Sequence, residues 1–268
     1  MASNQESVKN YYHGGGEDGR ARASRAISEE FYYTEKFIRP FITPSTRVLE
    51  LGCGTGYYGF RFAGLCAEYV GIDLSPDNIA IFREKITASG IQNLRCECGD
   101  ATDLAQIPSN SFDVILCLGP MYHLPREARA RVFDECRRIA ADDAVLAFAY
   151  INRLGVYAGA CTRWGARYPN RETNRAVFEH STDDDRPDLF FYTSPEEMQA
   201  DAESHGFSDV CQYGLDFFFL GGAIDEMTEE QFACYRELAD RMSESSSCVG
   251  LANHALLTCR KKVSGAHD

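Results

Sequence analysis

The chain of 268 residues has no C-x-x-C pair among its eleven cysteines, no apolar run near the ~20 residues of a membrane span, and few clusters of positive charge. Each absence closes a class. Without cysteines at ligand spacing, neither a zinc site nor a disulfide framework has a scaffold, and no metal is expected. Cys66, Cys117, Cys211 and Cys259 sit inside apolar runs instead, where a free thiol packs as a small hydrophobe. Cys96 and Cys98 fall two apart on a strand pattern, which places both on one face. The basic clusters are short, Arg137-Arg138 and Arg260-Lys261-Lys262, against a formal net charge of -13. Such a chain is repelled by phosphate backbones and anionic lipid, so nucleic-acid and membrane partners are disfavoured. The polar start MASNQESVKNYYHGGG has no apolar signal-peptide core. A reducing cytoplasm is the expected compartment. No internal repeat, low-complexity block or interdomain linker interrupts the chain.

What is present is an alternation of strand and helix signals from residue 48 onward. RVLELG reads as a strand, and Tyr57 to Leu65 as a helix. YVGIDL is a second strand, followed by a helix through Lys85 that Ser75 or Asp77 can cap. LRCECGD is a third strand, and FDVILCLG a fourth, continuously apolar as a strand covered on both faces should be. Arg126 to Ala140 is an amphipathic helix and AVLAFAYI a fifth strand. This βαβ rhythm predicts an α/β fold, a parallel sheet with helices on both faces. The rhythm then breaks. Residues 152–194 show no clear period; Ser194-Pro195-Glu196 starts a helix to His205, and a strand surrounds Val210. Residues 217–250 form another insertion, helical from Thr228 to Met242, before the last strand ANHALLTCR. The prediction is one domain over 1–268, with 1–44 as an N-terminal helical lid and the two insertions shaping a pocket wall.

The chemistry concentrates at the strand ends. Glu50-Leu51-Gly52-Cys53-Gly54-Thr55-Gly56 follows an apolar strand and opens a helix, so the glycines let backbone approach a ligand without a Cβ in the way. Asp73 ends the second strand about twenty residues later, where a carboxylate can accept both hydroxyls of a ribose. A dinucleotide turn, G-x-G-x-x-G, would place its third glycine at position 57, which is Tyr57. The spacing here is G-x-G-x-G, and no second half carries its own glycine turn, so a nicotinamide dinucleotide ranks well behind a single nucleoside.

E-x-G-x-G-x-G, the acid after the second strand, and Gly99-Asp100-Ala101 after the third together resemble the class I S-adenosylmethionine-dependent methyltransferases over residues 45–150. The resemblance implies a three-layer Rossmann-like fold with a seven-stranded, mostly parallel sheet and an antiparallel last strand. It implies S-adenosyl-L-methionine as cofactor. Gly52, Gly54 and Gly56, with Glu50 before them, would line its methionyl part, and Asp73 with Leu74 beside it would hold the ribose. Asp100 would take the adenine amine, Ala101 would donate its backbone N–H to the ring, and Leu118 would border the site. The flanks are similar to a bacterial subgroup of small-molecule-type methyltransferases: Tyr11-Tyr12, Glu30-Phe31, the run from Leu118 to Leu124, the Phe-Phe-Tyr-x-Ser-Pro-Glu-Glu run from Phe190, and Asn253-His254-Ala255-Leu256.

Methyl transfer from a sulfonium needs alignment, and a base if the nucleophile carries a proton. His123, just past the fourth strand, is either that base or a histidine that packs on adenine or caps the next helix. His254, at the amino end of an antiparallel last strand, is a second candidate. Tyr122 either orients the acceptor or forms a wall. Tyr12 precedes three glycines and reads either as a lid residue near the sulfonium or as part of a frayed terminus. Tyr150, Asn152 and Arg153, ending the fifth strand, are expected to face the pocket. Arg163, Trp164, Arg167 and Tyr168 either line an acceptor pocket or form a solvated loop. The leading expectation is transfer to an O, N or S nucleophile of a small molecule. A nucleic-acid or protein methyltransferase is disfavoured, because Leu118-Gly119-Pro120-Met121-Tyr122 lacks the amide or acid of an amino methyltransferase. A non-catalytic binder of S-adenosylmethionine or S-adenosylhomocysteine is the remaining alternative.

Overall fold

A computed structural model describes residues 4–163, 169–183, 185–217 and 224–262. Helix α1 (Asn4–Tyr11) and helix α2 (Arg25–Ile38) precede strand β1 (Arg47–Leu51), helix α3 (Tyr57–Phe62) and strand β2 (Glu68–Asp73). Helix α4 (Pro76–Ser89), strands β3 (Leu94–Cys98) and β4 (Phe112–Cys117), helix α5 (Arg126–Ile139) and strand β5 (Ala140–Ile151) complete the alternating half. Helices α6 (Arg153–Arg163) and α7 (Arg171–Asn174) follow, then helix α8 (Pro195–Ser204), strand β6 (Phe207–Gly214), helices α9 (Glu229–Ser243) and α10 (Ser246–Val249), and strand β7 (His254–Lys261).

The strands form one sheet in the order β3-β2-β1-β4-β5-β7-β6. β1 to β5 run parallel, and β7 is antiparallel to both β5 and β6. The expected mostly parallel, seven-stranded α/β sheet is the one observed. Its strand order reverses between β1 and β4, where ligands bind in open α/β sheets.

Helix boundaries follow local chemistry. Ser75, not Asp77, caps α4: its side chain accepts the N–H of Asn78, Pro76 follows in the first turn, and Gly90 closes the helix in the left-handed region. Ser194 and Glu197 form a reciprocal capping box on α8, as Thr228 and Gln231 do on α9. In α5, Ala128, Val132, Phe133, Cys136 and Ile139 point into the core at helical spacing. One face of the sheet packs with Phe31, Phe37, Tyr58, Phe62 and Phe82 from α2, α3 and α4. The other packs with Val132, Phe133, Met198 and Phe207. Cys96 is buried while Cys98, on the same face of edge strand β3, is exposed at the strand end.

Two segments depart from expectation. β5 begins four residues earlier than its apolar run, directly after α5, and a positive φ of 59° at Asp143 with a register shift opposite Phe112/Val114 absorbs the polar Asp142-Asp143 pair. The aperiodic 152–194 stretch contains α6, α7 and a π-helical turn over Arg175–Glu179. Trp164, Arg167, Tyr168 and the Arg163 side chain lie outside the described residues.

Candidate active site

A cavity of about 660 Å³ opens over the carboxyl ends of β1, β2 and β4. The glycine turn forms its floor. Gly52 and Cys53 donate their N–H groups to the Ile72 carbonyl at 2.8 and 3.1 Å, tying the turn to β2. Gly56 has a φ of 93°, and a Cβ there would stand 2.1 Å from Phe82 Cε2, so both conformation and packing require glycine. Gly54 also has positive φ, but its Cβ would meet nothing nearer than Glu17 Cβ at 3.9 Å. That position faces open cavity.

Asp73 is fixed as an acceptor. Its Oδ2 accepts the Gly54 N–H at 2.8 Å, and its Oδ1 accepts the Ser75 N–H at 2.9 Å and the Asn78 amide at 3.2 Å. Burial pushes its carboxyl above the ordinary range while these donors pull it back. Oδ1 is thus already doubly bonded, while Oδ2 keeps a second lone pair for a ligand hydroxyl. Asp100 takes the N–H and hydroxyl of Thr102 on Oδ1, at 2.8 and 2.9 Å, and the Gln5 amide on Oδ2. Glu50 lies at the back of the cavity, where burial pushes its carboxyl up to about 8 and the Tyr69 hydroxyl donates to it at 2.7 Å. Leu74, Ala101, Leu118 and Tyr122 line the same space.

His123 is held at both ring nitrogens. Nδ1 lies 2.9 Å from the Leu189 carbonyl and so carries the proton, and Nε2 lies 2.8 Å from the Tyr12 hydroxyl, which therefore donates to it. Burial lowers this imidazole to about 4, with Arg20 adding to the effect against the Leu189 bond. The segment holding Tyr12 is anchored on both sides of the cavity. The Asn4 amide reaches the Asp188 carbonyl at 2.7 Å, Tyr11 stands edge-on to Phe190, and Asp77 accepts the Gly14 N–H at 2.9 Å. Asn4, Gln5, Val8 and Tyr12 line the cavity.

One wall of the cavity is ionic. Arg20 donates to Glu30 at 2.7 Å and also pairs with Glu17. Burial works against the Arg20 charge, yet Glu30, Tyr122 and Glu17 hold the guanidinium above its ordinary value. Burial raises the Glu17 carboxyl, with Arg20 opposing. Behind Glu30, His254 sits 3.6 Å from its carboxylate and 2.7 Å from that of Asp216. Burial alone would depress the His254 imidazole; Glu30 and Asp216 override it and raise it. Glu30, Asp216 and His254 bring ligand-type atoms within 4.8 Å of one another, but Arg20 already engages both Glu30 oxygens, and the cluster is an ion-pair network.

Of the residues singled out from sequence, His254 stands apart, one layer behind the cavity wall. Tyr150, Asn152 and Arg153 do not face the cavity either, contrary to expectation. The antiparallel end of the sheet consumes their polar groups: Tyr150 bonds Gln212, the Asn152 amide donates to the carbonyls of Val249 and Gly250, and Arg153 pairs with Glu197. Glu17, Arg20 and Asp216 carried no sequence motif.

Residues 48–143 match the family model described as a methyltransferase domain. A ubiquinone biosynthesis O-methyltransferase of Neisseria meningitidis is 31% identical over 108 residues, 40% of this chain and 44% of that protein. The chain thus matches less than half the length of such curated relatives. Among solved structures, a SAM-dependent methyltransferase from Archaeoglobus fulgidus superposes with a TM-score of 0.57 at 16% identity, covering 91% of this chain and 97% of that one. The [4+2]-cyclase SpnF gives 0.62 at 18% identity, covering 98% of each chain. These low identities speak to fold. The family match over residues 48–143, the sheet order and the glycine turn agree on a methyltransferase domain there.

Proposed function

We propose that the protein transfers the methyl group of S-adenosyl-L-methionine to an oxygen, nitrogen or sulfur nucleophile of a small molecule. One observation carries this reading: a single cavity is lined by the glycine turn, Asp73 and Asp100 together with Tyr12, Tyr122 and the Glu17–Arg20–Glu30 cluster. Gly52, Gly54 and Gly56 fit the methionyl chain, Asp73 the ribose hydroxyls, and Asp100 with the Ala101 N–H the adenine edge, bordered by Leu74 and Leu118. Bound there, the cofactor supplies an electrophilic methyl on a good leaving group. The rings of Tyr12 and Tyr122 suit a sulfonium.

Gln5 occupies the Asp100 oxygen that the adenine amine would take. Cofactor entry therefore requires at least the Gln5 side chain of α1 to move aside, in keeping with a lid. His123, with both nitrogens engaged and a weakly basic ring, is suited to anchoring Tyr12 rather than to taking a proton. The Glu30–His254–Asp216 cluster is the better proton acceptor: Glu30 lines the cavity, His254 lies 3.6 Å behind it, and the two carboxylates raise the imidazole against burial. α1 forms part of the cavity wall through Asn4, Gln5 and Val8, and the chain is strongly acidic; both favour a small acceptor over a polymer. The curated relatives' name favours an oxygen nucleophile.

The test is S-adenosylhomocysteine production from methyl-labelled cofactor with phenols, amines, thiols, DNA, RNA and protein as acceptors. Label on a small molecule is expected. Cofactor binding with no transfer to any class would contradict the reading.

A further inference from the structure

A second cavity, of about 300 Å³, lies between the start of α5, the start of α6 and α8. Its walls include Arg126, Arg129, Arg153, His180, Ser181 and Tyr192. The acids beside it are accounted for: Arg126 donates to Asp201 at 2.7 Å, Arg153 donates to Glu197, and Glu127 is exposed. Arg129 is different. It is 7% exposed, yet its Nε and Nη1 are buried and make no hydrogen bond among the described residues, and the Nε of Arg153 is in the same condition. Leaving guanidinium N–H groups dry and unpaired is costly, and replacing such a side chain by an apolar one is often stabilising. Burial accordingly pulls the Arg129 guanidinium below its ordinary value, against the attraction of Asp201 and Glu197. The α5 helix opens onto the same space with Pro125 as N-cap, which offers no side-chain acceptor to the first N–H groups.

We infer that this cavity binds a small oxyanion, the phosphate or carboxylate group of a metabolite, whose oxygens pair with Arg129 and Arg153 at the amino end of α5. An oxyanion there would satisfy the unpaired guanidinium atoms with charge-assisted, fork-shaped hydrogen bonds. It would also complete the helix terminus. Its position is separate from the cofactor cavity but shares a wall with it: Phe191, which lines the oxyanion cavity, donates its N–H to the Tyr122 carbonyl at 2.8 Å. Occupancy thus bears on the loop that presents Tyr122 and His123.

Calorimetry and thermal unfolding of the full chain, saturated with S-adenosylhomocysteine and titrated with inorganic phosphate or acetate at constant ionic strength, test this. Saturable binding of one of them is expected, together with a raised unfolding midpoint. Arg129→Met should weaken it ten-fold or more while S-adenosylhomocysteine affinity is unchanged. Should that variant fail to fold, Arg153→Gln reads the same loss. No saturable effect beyond that of chloride overturns the inference, as does unaltered affinity in the variants. Phosphate binding that disappears on saturation with S-adenosylhomocysteine also overturns it, because it would place the ion in the cofactor cavity.

Discussion

Asp216 grips His254 twice: one carboxylate oxygen accepts its backbone N–H and the other lies against Nδ1, both at 2.7 Å. The pair joins the loop after β6 to the first residue of β7, immediately behind Glu30.

Burial disfavours the His254 cation, but Glu30 and Asp216 overcome it, so the ring titrates above the usual 6.5. As proton acceptor it must be neutral, and kcat/KM should rise with pH through that raised value. Asp216→Asn removes one of the raising charges and should move the acidic limb of the profile down by roughly half a unit or more. The sign for stability is opposite. A raised histidine stabilises the fold fully below its unfolded value, and that contribution is lost as pH rises through the folded one. A pH profile unmoved by Asp216→Asn would remove His254 from the chemistry.

Tyr12 and His123 should act as one unit. Tyr12→Phe and His123→Ala each break the same hydrogen bond, so their effects on cofactor affinity should fall short of additive by about 0.5–1.5 kcal/mol in a double-mutant cycle. Additive losses would mean that the contact does not hold the lid.

The glycines should separate folding from binding. Gly56→Ala drives a Cβ into the Phe82 ring at positive φ and should destabilise the protein by about 2–4 kcal/mol in chemical denaturation. Gly54→Ala meets no protein atom closer than 3.9 Å, so it should cost about 1–2 kcal/mol of stability yet lose much of the cofactor affinity. Equal stability losses would contradict the packing account.

Glu50 predicts a pH slope. Its carboxyl is pushed to about 8 in the fold, far above its unfolded value, so between these values the unfolded chain ionises where the folded one does not. Stability from this residue therefore falls as pH rises across that window. Glu50→Gln keeps an acceptor for the Tyr69 hydroxyl and should flatten the slope, as measured by denaturation midpoints at pH 5, 6.5 and 8.

What was legible in the sequence was what is contiguous. The turn from Gly52 to Gly56, Asp73 and Asp100 each sit at the end of a strand whose apolar run announces it, so order along the chain nearly determines their place in space. The acceptor end obeys no such rule. Glu17, Arg20 and Glu30 come from the segment before β1, and Asp216 lies 38 residues from the histidine it holds. Glu17 and Arg20, just past Gly14 to Gly16, carry no motif that would place them at the cavity they line. Tyr150, Asn152 and Arg153 misled because strand end alone was taken to mean pocket. β6, α8 and the end of α10 supply them with nearer partners.

The central claim is that this cavity is a methyl-donor site with Asp73 at the ribose, and calorimetry of S-adenosylhomocysteine binding to the wild-type chain and to Asp73→Ala tests it most directly. Binding at one site per chain, weakened ten-fold or more by the substitution, is the predicted result. No binding to the wild type, or equal affinity in the variant, would contradict it.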